Sequence, residues 1–243
     1  HRHSQSALRL VLESKGGITV VNGEATRMNL GDFVITPQWA WHDHSNDSDE
    51  PAFWQDVLDI PMVSFFAASF AEGHGEDRQD IILPEGDSLA RYGANMMPMG
   101  YESRLAQPSP IFNYPYDRSR EALERMRQTE AWDPWHGLRM RYVNPANGDW
   151  AMPTIGTCLQ LLPKGFRTQS YQSTDSTGFT VIEGSGRTRI GDQVIDWKPL
   201  DIFIAPSWMP VVHEADEDAV LFSYSDRPVQ EKIGLFRERR GNA

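Results

Sequence analysis

Apolar and polar positions alternate over residues 8–60 in short runs broken by turn residues. Leu8-Arg-Leu-Val-Leu-Glu13 reads as a strand, and Ser14-Lys-Gly-Gly17 ends it. Ile18-Thr-Val-Val21 is a second, with Asn22-Gly23 as a hairpin turn. Phe33-Val-Ile-Thr36 follows Gly31-Asp32 and stops at Pro37, because proline offers no N–H to a ladder. Residues 52–60 predict a further strand. Short strands at regular spacing point to a barrel or sandwich. The alternation fades over 61–150, where Asp117–Gln128 alone is rich in helix formers and puts Leu123 and Met126 on one face. It returns over 151–228.

The second β region repeats the first. Val11-Leu-Glu13 answers to Val181-Ile-Glu183, Asp32-Phe-Val-Ile-Thr-Pro37 to Asp201-Ile-Phe-Ile-Ala-Pro206, and Trp39 to Trp208. The offset is 170 residues at the glutamates and 169 at the prolines. Two copies of one small β domain explain this. The expected division is a first barrel over 1–62, a connector over 63–150 with one helix near 117–130, a second barrel over 151–230 and a tail over 231–243.

Composition narrows the function. A net charge of −11 argues against a nucleic-acid partner, which needs a Lys/Arg surface. No apolar run approaches the roughly 18 residues of a membrane span. Cys158, the one cysteine, lies in an apolar run and is expected to be buried and inert, and a single thiol fits a reducing cytoplasm. The chain opens at His1-Arg-His with neither Met nor a charged leader, so the first strands of the N-terminal barrel are expected to be missing.

Chemistry concentrates at two places. His1 and His3, as His-x-His on a strand, share a face because side chains alternate. His42 follows the Pro37 turn and can close a triangle with them. Three neutral imidazoles suit Fe, Zn, Cu or Ni and leave positions open for other ligands. Other readings are a tag remnant at His1 and His3, or three unrelated surface histidines. In the second copy these positions fall on Tyr171, Ser173 and Val211, so only one metal site is expected; His44 alone keeps a counterpart, His213. His74 and His136 lack partners at ligand spacing. Arg9 has the ligands' strand parity, and a charge inside a barrel needs a partner. A substrate carboxylate fits it, and so does a structural acid.

Gly31, Pro37, His42 and Asn46 occupy the slots of the second cupin motif, with Trp39 in place of its second glycine. His1 and His3 match the first motif, but Ala7 and Leu8 stand where many cupins have a fourth-ligand glutamate. This departure, with His1–Arg9, Gly31–Pro37, Trp41–His44, Leu58–Pro61 and Val220–Pro228, resembles the gentisate 1,2-dioxygenase family, which includes salicylate and 1-hydroxy-2-naphthoate dioxygenases. The resemblance implies an all-β bicupin of two double-stranded β-helix (jelly-roll) barrels with a partly helical connector. It implies a cytoplasmic homotetramer for aromatic catabolism, with one Fe(II) per chain on His1, His3 and His42. Gentisate and O2 would be its small-molecule partners, with ring cleavage between the carboxyl-bearing and hydroxyl-bearing carbons giving maleylpyruvate. Arg9 and His44 are the substrate-binding candidates, and His44 and Asp56 the catalytic or supporting ones. Asp56 is expected near His44 or Arg9, with Asp59 on the same strand. Gln5, Trp39 and Trp41 are candidate pocket residues, the tryptophans more as barrel packing. The alternatives are a salicylate or 1-hydroxy-2-naphthoate dioxygenase, a cupin dioxygenase acting on a diketone or flavonol, and a non-catalytic bicupin that binds a small acid.

Overall fold

A computed structural model describes residues 1–102 and 107–241. The chain divides into two compact units, one of residues 1–118 with 143–152 and one of residues 119–142 with 153–243. The stretch expected as a connector is thus shared between the units, and its helix runs over Tyr116–Thr129.

In the first unit, β1 (Arg2–His3), β2 (Ala7–Glu13), β3 (Gly17–Val21), β4 (Glu24–Arg27), β5 (Phe33–Thr36), β6 (His42–Asn46) and β7 (Phe53–Leu58) follow one another. Two short strands join later, β8 (Ala71–Glu72) and β9 (Asn113–Tyr114). The order β7-β2-β5-β9 makes one sheet and β4-β3-β6 another. Val11, Met28 and Val34 form a buried cluster against Trp54. The strand expected at 52–60 ends at Leu58; Asp59 then accepts a hydrogen bond from the Ser6 N–H at 2.9 Å, and a helix starts over Ile60–Phe65 with Pro61 in its first turn.

The second unit contains β10 (Leu138–Arg141), β11 (Gly156–Leu162), β12 (Tyr171–Ser173), β13 (Thr177–Glu183), β14 (Gly186–Ile190), β15 (Gln193–Trp197), β16 (Ile202–Ala205), β17 (Val211–Ala215), β18 (Ala219–Ser225) and β19 (Glu238–Arg240). Its sheets run β10-β11-β18-β13-β16 and β15-β14-β17-β12-β19. Phe179, Val181, Trp197, Phe203 and Leu221 fill the space between them. The tail contributes β19, which pairs with β12, and Cys158 is buried on β11.

The repeat holds at the level of single hydrogen bonds. Val11 N–H donates to Asp32 O at 3.1 Å, and Val181 N–H to Asp201 O at 3.0 Å. Asp32 accepts from the Asn29 N–H at 2.9 Å, as Asp201 does from that of Lys198. Register shifts fall between Val11 and Glu13 and between Val181 and Glu183, which explains why each glutamate was legible as a repeat marker. Trp39 and Trp208 both adopt left-handed backbone, with φ of 59° and 62°. That conformation favours glycine, the residue that the second cupin motif has at the position of Trp39.

Two imidazoles in the second unit are held neutral. Burial, with repulsion from Arg139, pushes His213 from 6.5 down to about 3 and His136 down to about 2. Both must take up a proton on unfolding in acid. Their stabilisation is therefore complete above about pH 6.5 and is lost as pH falls toward about 3, at up to about 1.4 kcal/mol per pH unit for each group. The urea midpoint of this unit should fall steadily below about pH 6.5, and His213→Asn should flatten that fall. A midpoint constant down to about pH 4.5 would contradict the assignment.

Candidate metal centre

The hairpin-like approach of β1 to the turn before β6 brings the histidines together. His42 N–H donates to His1 O at 3.0 Å and Trp39 N–H to His3 O at 2.8 Å. Ligand atoms of His1, His3 and His42 then all lie within 4.8 Å of one another. Their ring centroids are 4.3–5.5 Å apart. His3 Nδ1 meets Gln5 O at 2.8 Å and His42 Nδ1 meets Ala40 O at 2.9 Å. A carbonyl only accepts, so both Nδ1 atoms carry the proton and both Nε2 atoms present lone pairs. The Nε2 of His42 is buried with no hydrogen-bond partner. Burial first, opposed by the Ala40 hydrogen bond, pushes His42 down to about 4, so its ring is neutral at neutral pH. Three imidazoles without a thiolate form a donor set for a first-row divalent ion.

Arg9 on β2 is buried, 5% exposed, and opposes Asp56 on β7. Its Nε stands 3.1 Å from Asp56 Oδ1, an ion pair whose alignment is poor for a hydrogen bond, and its Nη1 donates to Thr36 Oγ1. Burial lowers the pKa of Arg9 while Asp56 raises it. Its charge also acts on His42 and His44. Asp56 accepts from Trp54 Nε1 at 3.1 Å as well. Of the two roles expected for Asp56, the contact it makes is the one with Arg9.

His44 lies two residues beyond His42, with ring centroids 5.8 Å apart. Thr19 Oγ1 stands 3.2 Å from Met28 Sδ and 3.1 Å from His44 Nδ1. Sulfur cannot donate here, so the hydroxyl proton points to Met28, and Thr19 must accept from His44 Nδ1–H. The Nε2 of His44, buried and unpartnered, is therefore a lone-pair acceptor. Burial, then the charge of Arg9, pushes His44 down to about 3.

The other pocket candidates turn elsewhere. Gln5 holds His3 through its carbonyl, while its side chain donates to Ser69 Oγ at 2.9 Å. Trp39 and Trp41 do not fill the barrel: Trp39 is 43% exposed, and the two rings stand 4.6 Å from the Arg2 guanidinium. Arg2 Nε and Nη2 in turn donate to Glu72 at 2.9 and 2.6 Å. His74 packs edge-on against Trp41. Sequence reasoning missed Thr19, Met28, Thr36 and Glu72. Thr19 pairs with His44 across β3 and β6 and Thr36 ends β5, signals that strand pairing could have supplied; Met28 lies just past β4, and Glu72 in a stretch with no such pattern.

A cupin-domain match covers residues 1–61. The chain is 63% identical over 240 residues to gentisate 1,2 dioxygenase 1 of Aquipseudomonas alcaligenes, spanning 99% of this chain and 69% of that one. It is 34% identical to the 5-aminosalicylate 1,2-dioxygenase of a Comamonas species, over 98% of this chain and 64% of that one. A mutant salicylate 1,2-dioxygenase from Pseudoaminobacter salicylatoxidans, solved in complex with gentisate, superposes with a TM-score of 0.92 at 33% identity, over all of this chain and 68% of that one. Among the described residues no helix is long and apolar enough to cross a membrane.

The stacked, ion-paired Arg2 ties the His-x-His strand to β8. Arg2→Met and Glu72→Gln should each speed hydrogen exchange at the Ser4 amide, which bonds Phe70 O at 3.0 Å, by about tenfold. Unchanged exchange at Ser4 in both variants would show that the clamp does not hold the strand.

Proposed function

Because the chain belongs to the gentisate 1,2-dioxygenase family of ring-cleaving bicupin dioxygenases, we propose that it opens the ring of gentisate between the carboxyl-bearing and the adjacent hydroxyl-bearing carbon, giving maleylpyruvate with both atoms of O2 incorporated. The observation that carries this reading is the cluster of His1, His3 and His42 with the charge of Arg9 acting beside it. Gentisate is preferred to salicylate because the relative at 63% identity is a gentisate enzyme.

His1, His3 and His42 would hold one Fe(II), with Nε2 of His3 and His42 as donors. When bound there, Fe(II) supplies open coordination positions and a one-electron link between an aromatic ring and dioxygen. Arg9 has Nε toward Asp56 and Nη1 on Thr36, leaving the far side of the guanidinium to bind the substrate carboxylate. Asp56 and Thr36 fix the plane of that guanidinium. His44 Nε2, a neutral acceptor, takes a hydrogen bond from a substrate hydroxyl and can hold its proton. A purely acid-binding bicupin would have no use for a buried, unpartnered Nε2 on His42.

Anaerobic reconstitution should load about one iron per chain, and gentisate should then disappear under oxygen as a ring-opened product forms. Failure to take up iron would sink the proposal. Arg9→Met should lower kcat/KM by about a hundredfold while iron content stays unchanged. Loss of iron in that variant would instead make Arg9 a support of the metal centre.

A further inference from the structure

The second barrel has Tyr171, Ser173 and Val211 where the first has its histidines, and a cavity of about 30 Å³ remains there. A space of this size suits a small ion or a few waters and excludes an aromatic ring. Its walls carry unused polar groups. Trp135 Nε1 and Arg139 Nε, both donors, are buried with no hydrogen-bond partner. Arg139 Nη2 donates to Ser223 Oγ at 3.3 Å, and among the described residues no carboxylate forms an ion pair with this guanidinium.

A third donor follows from hydrogen bonding around Thr188. Trp197 Nε1–H donates to Thr188 Oγ1 at 2.9 Å, and Thr188 Oγ1 stands 2.8 Å from His213 Nδ1. His213 Nδ1 is then the one acceptor left for the Thr188 hydroxyl proton among the described residues, so the proton of His213 is assigned to Nε2. Three cations act on His136; Arg240 is paired with Glu238 and Arg227 with Glu231, which leaves Arg139 as the one without an ion-pair partner among the described residues. Asp175, 7% exposed, also lines the cavity; its Oδ1 is an unused acceptor, and Arg227 lies close enough to feel its charge.

We propose that the second barrel binds a small planar oxyanion, an acetate-sized carboxylate or bicarbonate, on Trp135 Nε1, Arg139 Nε and His213 Nε2. Two oxygens of such an ion can take two or three N–H donors lining one cavity, and a guanidinium supplies the countercharge. A ligand that also carries an O–H can donate to Asp175, which favours bicarbonate over acetate.

Isothermal titration of the full, metal-loaded chain with sodium acetate and, separately, with sodium bicarbonate, against chloride at equal ionic strength, tests this. One site per chain should saturate at about 1–10 mM for at least one of the two. Arg139→Gln should weaken it by about tenfold or more, and Arg9→Met in the first barrel should leave it unchanged. Trp135→Phe, which removes one donor and keeps the charge, should weaken it by a smaller factor and guards against misfolding of the Arg139 variant. Asp175→Asn should reduce bicarbonate binding more than acetate binding. Binding that survives Arg139→Gln and disappears in Arg9→Met would place the ion in the first barrel and overturn the proposal. Heats indistinguishable from chloride for both ions would leave only water in the cavity and overturn it equally.

Discussion

The geometry of the three-histidine cluster depends on two backbone hydrogen bonds, Trp39 N–H to His3 O and His42 N–H to His1 O. They hold the short His-x-His strand against the turn that delivers His42. Neither bond involves an imidazole, so the scaffold is independent of the ligands it presents. The second barrel demonstrates this: Trp208 N–H donates to Ser173 O at 2.7 Å, and Tyr171 pairs with Val211, with no histidine in any of the three positions. The left-handed backbone at Trp39 and Trp208 costs something in each copy. In the first, Trp39 offsets it by stacking on Arg2, the residue between the two ligands. In the second, Trp208 stands 5.8 Å from Arg239 of the strand paired with Gln172.

The same comparison bears on His44. Its persistence as His213, where Tyr171, Ser173 and Val211 replace the three histidines, argues that the histidine is structural. The hydrogen bond to threonine is indeed common to both copies. The residue behind the threonine differs. Met28 accepts the hydroxyl proton in the first barrel, and Trp197 donates to the hydroxyl in the second. One exchange, 169 residues apart, therefore gives His44 an outward lone pair and His213 an outward proton. The fold keeps the imidazole, and the third residue decides whether it accepts or donates.

How much could be read without the structure follows from how local each feature is. The repeat was legible because Asp32, Pro37 and Trp39 each do a job set within a few residues: a turn cap, a strand end, a left-handed corner. The triad was legible because strand alternation and one tight turn suffice to gather it. The pairing of Arg9 with Asp56 was named only as one of two options, since it rests on a register between strands 47 residues apart that shifts at Val11/Glu13. The parity that linked Arg9 to His1 runs through Ser4–Ser6, where strand conformation lapses, so alternation alone does not guarantee the shared face. The tryptophans, expected to pack the barrel, instead stack on Arg2, and Trp39 does so from a left-handed corner that leaves it exposed.

Each barrel keeps a cation inside, and the two cations come from different strands. Arg9 sits on β2 with Asp56 opposite; the corresponding pair in the second barrel is Phe179 and Ser223, and Ala205 stands for Thr36. The arginine, the aspartate and the threonine of the first site are thus all replaced. Yet Arg139, from β10, reaches the same Ser223 with its Nη2. A guanidinium beside a buried serine, without the aspartate, has more of its charge uncompensated than Arg9 has. Such a charge is unfavourable in an apolar core unless an anion or water completes it. Its presence in a barrel that has none of the first site's ligands is better explained by a polar occupant than by packing.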